Sequence, residues 1–194
     1  MPELPEVEYT QRQLRDHIIG ATIREALVFW ERTIGHPELP DFLAEIAERR
    51  IEGVRRRGKF LVLDLSGDLL LTIHRRMTGN LLLLPPGWEV DTSLHQSDPV
   101  AWNIKGPSFI KQGRNEKENG HSAELAERVS ILSQTYNSEL LYCRACFNLA
   151  DGRRLLFTDL RKFGRIELWP RESELEALVG LGPEPVPDFT TADI

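Results

Sequence analysis

The 194-residue chain is 41% hydrophobic and 28% charged, with a formal net charge of -6 and two cysteines. It is long enough for one substantial core, ordinary in composition for a globular protein, and without an apolar run near the ~20 residues that span a bilayer. Cys143 and Cys146 exclude a disulfide framework, and the absence of a basic-then-apolar leader makes the cytoplasm the expected compartment.

The negative total speaks against a nucleic-acid partner, but its distribution speaks for one. Residues 49–79 carry a surplus of five positive charges and residues 153–166 a surplus of four, while the segment from Glu167 onward is strongly acidic. Two basic segments on a strand-like background either form one phosphate-facing surface or are merely solvated.

In chain order, residues 5–19 predict an amphipathic helix with Val7, Leu14 and Ile18 on one face, closed by Gly20. Thr22–Trp30 reads as a strand. A loop with Gly35, Pro37 and Pro40 leads to a short helix at about Asp41–Arg49, with Asp41 as cap and Phe42 and Ile46 inward. Ile51–Arg57, Lys59–Leu65, Leu69–Arg76 and Asn80–Leu84 read as antiparallel strands punctuated by Gly58, Ser66-Gly67-Asp68 and Thr78-Gly79. Leu140–Leu149, Arg154–Thr158 and Arg165–Trp169 continue the pattern, with Ala150-Asp151-Gly152 as a hairpin turn. A third helix is expected at Glu172–Leu178, then a proline-rich linker. The fold class is therefore mainly β with flanking helices, an antiparallel β-sandwich of about eight strands with an N-terminal helix.

Residues 86–139 differ. Prolines, glycines and the polar run Lys111–Gly120 surround one helical pattern at Ala123–Leu132. So long a connection reads as an inserted excursion, with Trp88, Trp102 and Phe109 as local packing.

The terminus Met1-Pro2-Glu3-Leu4-Pro5-Glu6 has two readings. One is a helix start, with proline and acids at the positive end of the dipole. The other is chemical: proline at position two favours removal of Met1, exposing a secondary amine. An α-amino group titrates near pH ~8, so a sizeable fraction of it is neutral and nucleophilic at physiological pH. Attack on an aldehyde-like carbon gives an iminium, an electron sink for elimination, and Glu3 and Glu6 offer carboxylates for proton transfer.

Five motifs occur in order: Met1 to Glu8, Arg57-Gly58-Lys59-Phe60-Leu61, His74-Arg75-Arg76-Met77-Thr78-Gly79, Thr158-Asp159-Leu160-Arg161-Lys162-Phe163-Gly164, and Leu181-Gly182-Pro183-Glu184-Pro185. Together they resemble the N-terminal domain of the formamidopyrimidine-DNA glycosylase and endonuclease VIII family, over residues 1–85 and about 140–190. The Glu-Leu-Pro-Glu start and Met77 look more like the formamidopyrimidine branch. The resemblance implies a catalytic domain over residues 1–180 and a bifunctional DNA glycosylase and AP lyase acting on oxidised purines. Its partner is double-stranded DNA with an oxidised base or abasic site, and a monomer is expected. Pro2 is the implied nucleophile and Glu3 the acid at the sugar ring oxygen, with Glu6 in the same group. Lys59 and His74 are implied against phosphates near the lesion. A flipped base leaves a hole in the duplex, which Met77, Arg161 and Phe163 are implied to fill, with Lys162 beside them on the DNA.

The motif pattern has departures. Leu160 stands where the family commonly has proline. Tyr142-Cys143-Arg144-Ala145-Cys146 stands where it commonly has histidines. Cys143 and Cys146 superficially suggest half a zinc site, but positions i and i+3 of a strand face opposite ways, so they read as small hydrophobes. No cofactor is expected, because the family's zinc lies in a C-terminal finger. The sequence stops at Ile194, with residues 181–194 read as linker and the start of a helix-two-turn-helix domain. A weakly active or inactive damaged-DNA-binding fragment is therefore the alternative, and a plain interaction domain the third reading.

Overall fold

In the computed structural model, the described residues are 4–87, 142–173 and 178, with the backbone of 89–90 and 104–105. Helix α1 (Leu4–Ile18) buries Val7, Gln11, Leu14 and Ile18. Those spacings of four, three and four make one stripe on a 3.6-residue period. The helix stops before Gly20, whose φ of 86° suits a left-handed terminator.

Strands β1 (Thr22–Val28), β2 (Ile34–His36) and β3 (Arg49–Arg57) follow, with α2 (Leu39–Ile46) between the last two. Next come β4 (Phe60–Leu65), β5 (Leu69–His74), β6 (Gly79–Leu84), β7 (Glu89–Val90), β8 (Ile104–Lys105), β9 (Cys143–Leu149), β10 (Arg154–Asp159) and β11 (Arg165–Pro170). Nine of them form one sheet in the order β2-β11-β5-β4-β3-β1-β9-β10-β6, and β7 pairs with β8.

The sheet is hinged between β1 and β3, which pair only at Thr22↔Arg50 and Ile23↔Arg49. On one side lie β1, β9, β10 and β6; on the other lie β3, β4, β5, β11 and β2. Ile23, Phe147, Phe157 and Leu81 from the first half share one buried cluster with Ile51, Leu63, Leu71 and Ile166 from the second. Two sheet faces closing on one apolar core is the sandwich principle, and α1 lies along β3, where Gln11 Nε2 donates to Val54 O at 2.7 Å. The mainly-β class with an N-terminal helix agrees with the sequence reading.

Three details differ. The main sheet has nine strands, because Ile34–His36, read as loop, pairs parallel with β11 through Ile34↔Ile166. Three residues are too few for an alternation to show. The second helix begins and ends earlier than expected, at Leu39–Ile46. Cys143 and Cys146 share a face: both pack with Leu82, Leu84 and Leu156. The register slips between Phe157↔Ala145 and Thr158↔Cys143, so Arg144 is an extra residue that restores Cys143 to the side of Cys146. They remain buried and free. Burial pushes both thiols up, Cys146 to about 12, so they behave as hydrophobes.

Arg171–Ser173 is a single 3-10 turn, and most of the expected third helix lies outside the described residues. So do the helix expected at 123–132, the aromatics Trp88, Trp102 and Phe109, and residues 181–194.

Candidate functional site

The β3–β4 turn is Gly58-Lys59, flanked by the pair Arg57↔Phe60. A φ of 56° at Gly58 is what a two-residue hairpin of type II′ needs at its first position. Lys59 therefore stands at a rigid tip. Phe60 is the cross-strand partner of His74 and meets it edge to face, with ring centroids 4.5 Å apart. Burial, then the charges of Arg76 and Lys59, pull the His74 pKa down to about 4. The ring is neutral at pH 7. Its Nδ1 accepts the Arg76 N–H at 3.0 Å, which leaves the proton on Nε2 as a donor.

After His74 the chain turns tightly before β6. Gly79 N donates to Arg75 O at 2.9 Å, and a Cβ on Gly79 would lie 2.4 Å from that oxygen. Within the turn Arg76 has φ 54°, a conformation costing roughly 1–2 kcal/mol for a residue with a side chain. Such strain persists only where the surroundings fix it.

A second loop, residues 160–164, is fastened to that turn by Asp159, which is 1% exposed. One carboxylate oxygen accepts the Thr78 hydroxyl and, at 3.2 Å, the Arg161 N–H; the other accepts Gly164 N–H at 2.7 Å. Thr78 Oγ1 in turn accepts Arg161 N–H at 3.0 Å. Only glycine fits at 164, because a Cβ would stand 2.4 Å from Phe157 Cζ. From below, the buried Arg144 donates Nε–H to Asp159 O at 2.8 Å. The consequence is a meeting of residues far apart in sequence: Arg161 Nη1 lies 3.3 Å from Met77 Sδ. Met77, Leu160 and Phe163 are 45%, 53% and 56% exposed. Lys162, at φ 62°, instead turns its ammonium over the Trp30 ring, 4.2 Å from the centroid.

Helix α1 is tied to both turns. Glu8 accepts from Arg56 Nε at 2.7 Å, and Arg56 Nη1 donates to Gly58 O at 3.0 Å. That pair holds the Glu8 carboxyl below the usual range. At the other turn, Arg75 donates to Thr10 Oγ1 at 2.9 Å and to Glu6 O at 3.4 Å. Glu6 is exposed in the first helical turn. Pro2 and Glu3 lie outside the described residues.

The basic segments are less uniform than their charge suggests. Arg55 pairs with Asp64, Arg56 with Glu8 and Arg153 with Asp151, and Arg165 donates to Arg32 O. Several arginines thus brace the scaffold. The bracing by Arg56, Arg75, Arg144 and Asp159 escaped the sequence reading, although Arg75 and Asp159 both fall within its motifs. Among the described residues no three His, Cys, Asp or Glu side chains cluster to hold a metal ion, and no helix is long and apolar enough to cross a membrane.

Comparison with known proteins gives the same family. The model of the formamidopyrimidine-DNA glycosylase N-terminal domain matches residues 1–166, running through the excursion that the motifs left without a counterpart. A formamidopyrimidine-DNA glycosylase of Enterococcus faecalis is 32% identical over 190 residues, covering 97% of this chain and 50% of that protein. One of Chloroflexus aggregans is 34% identical over 194 residues, covering 99% and 52%. The chain spans about half the length of the curated relatives it matches. The fold is similar to that of the Lactococcus lactis FPG in complex with a Fapy-dG containing DNA, with TM-score 0.59, 21% identity, and 91% of this chain and 47% of that one covered. The chain belongs to the formamidopyrimidine-DNA glycosylase N-terminal domain family.

Proposed function

We propose that the chain is the catalytic part of a DNA-repair glycosylase and AP lyase acting on oxidised purines in double-stranded DNA. The observation that carries the reading is the meeting of Met77 with Arg161, beside exposed Phe163, on two turns locked by Asp159. Exposed apolar side chains on strained, over-determined turns are costly to a fold and useful as a wedge. A flipped nucleotide needs one, because unstacking costs a few kcal/mol. Met77 and Phe163 enter the gap, and Arg161 offers donors to the orphaned base.

The chemistry begins with removal of Met1. Pro2 stands two residues before the first residue of α1 in the sequence. Neutral Pro2 attacks C1′ of the extruded nucleotide as the glycosidic bond breaks. Glu3 protonates the ring oxygen while the sugar opens to the imine. The cationic imine then draws electrons through successive eliminations that release both flanking phosphates. Glu6 serves the same proton traffic. Lys59 supplies positive charge to the phosphate beside the lesion, and neutral His74 a hydrogen bond from Nε2. Lys162, drawn toward Trp30, reaches the backbone by leaving that ring.

The test uses duplexes with and without one 8-oxoguanine. The reading expects a nick at the lesion only, with binding that weakens steeply as salt rises. Salt-sensitive binding without nicking selects the binding-fragment reading; no affinity for DNA rejects both.

A further inference from the structure

Arg75 stands between two parts of the site that the chain keeps far apart. Its Nε donates to Gly79 O at 2.7 Å and its Nη2 to Asn80 Oδ1 at 3.1 Å, closing the turn that carries Met77. Its Nη1 donates to Thr10 Oγ1 at 2.9 Å and Glu6 O at 3.4 Å, in the first turns of α1. Thr10 is itself fixed, donating to Glu6 O at 2.9 Å. One planar fork therefore spans the Met77 turn and the helix that leads directly to residues 1–3. Arginine suits the task because its donors are held rigidly in a plane; lysine offers a single point and leucine nothing.

We propose that Arg75 is a positioning residue coupling the Met77 turn to the start of α1, so that seating Met77 in the duplex sets where the Pro2 amine stands. The chemical consequence rests on the function proposed above; the coupling does not. Helix α1 is pinned at Glu8 by Arg56 and at Gln11 by Val54 O, on either side of Thr10. Of Arg75's two contacts on the helix, only the one to Glu6 O lies N-terminal to both pins, so displacement of residues 75–79 reaches the first turn through Glu6. Misplacing a nucleophile by about 1 Å costs up to roughly a hundredfold in rate, so a hydrogen-bonded link of this length is enough to matter.

Two measurements test it. The sequence has only two methionines, Met1 and Met77, so a ¹³C-methyl label reports on Met77 directly. Thr10→Val removes Arg75's hydroxyl partner on the helix without altering the turn. The Met77 methyl resonance shifts in Thr10→Val and does not shift when the same substitution is made in Arg75→Leu. No shift in Thr10→Val overturns the coupling, whatever the protein's activity. In single-turnover imine trapping on abasic-site DNA, Arg75→Leu slows adduct formation roughly tenfold or more, with affinity held within about twofold. Arg75→Lys recovers part of the rate. An unchanged rate, or a loss of affinity equal to the loss of rate, overturns the positioning role. If the wild-type chain forms no adduct, the imine chemistry fails, and the methyl signal alone decides the coupling.

Discussion

Replacing Asp159 by Asn tests the reasoning where it is most quantitative. The carboxylate accepts from the Thr78 hydroxyl, Arg161 N–H and Gly164 N–H while almost wholly buried. An amide of the same shape keeps one acceptor oxygen and presents an NH2 group in place of the other. If the oxygen stays toward Thr78 and Arg161, the NH2 faces the Gly164 N–H, donor against donor. A hydrogen bond to a charged group contributes about 1.5–3 kcal/mol, and an unsatisfied buried donor costs about 1–3 kcal/mol. These overlap, since the lost bond and the stranded N–H are the same site, so the expected loss is about 2–4 kcal/mol. That is a large fraction of a total stability of roughly 5–15 kcal/mol. Urea unfolding measures it through the midpoint at constant m-value. The same variant should separate Arg161 from Met77 and weaken discrimination of lesion from intact duplex. A loss below about 0.5 kcal/mol, the ordinary range for surface changes, refutes the assignment of Asp159 as the fastener of the two loops.

Four further outcomes follow from the geometry. Gly164→Ala drives a methyl into the Phe157 ring and should cost about 1–3 kcal/mol by overpacking, read by the same unfolding assay. Glu8→Gln should cost about 1 kcal/mol, since the pair with Arg56 is partly solvated. The lowered Glu8 pKa means that this difference from wild type is present above the ordinary carboxylate range and vanishes as pH falls through the folded value. His74 has its folded pKa depressed to about 4 from 6.5, so the unfolded chain binds the extra proton first. Its contribution is complete above pH 6.5 and is lost on acidification towards 4, and His74→Gln should flatten that part of the stability–pH curve. Because the ring stays neutral from pH 5 to 8, imine formation should show no inflection from His74 there, only a rise as the Pro2 amine deprotonates near pH ~8; stopped-time trapping across pH checks both.

What was legible in the sequence was what local chemistry dictates. Gly58, at a positive φ, and Gly79, where a Cβ would meet Arg75 O, mark the turns, so the hairpins carrying Lys59 and Met77 could be found without a structure. The stripe Val7, Leu14, Ile18 fixed which side of α1 is buried. What stayed hidden depends on distant partners. The strand Ile34–His36 exists only because β11 offers it an edge. The slip at Arg144 that reunites Cys143 with Cys146 leaves no mark in composition. Nor does a count of charges say which arginines are spent inside: Arg56 on Glu8, 48 residues away, or Arg75 on Thr10, 65 residues away. The basic segments read either as one phosphate-facing surface or as solvated charge, and several of their arginines, among them Arg55, Arg56, Arg75 and Arg153, brace the scaffold instead.

The central claim is that the amine of Pro2 becomes bonded to a deoxyribose carbon. Borohydride reduction of the chain on abasic-site duplex, followed by proteolysis and mass spectrometry of the cross-linked peptide, reads that bond directly. The account predicts one adduct, on a peptide that begins at Pro2 without Met1 and disappears in Pro2→Gly. An adduct on Lys59, a retained Met1 on the active protein, or no cross-link at all contradicts it.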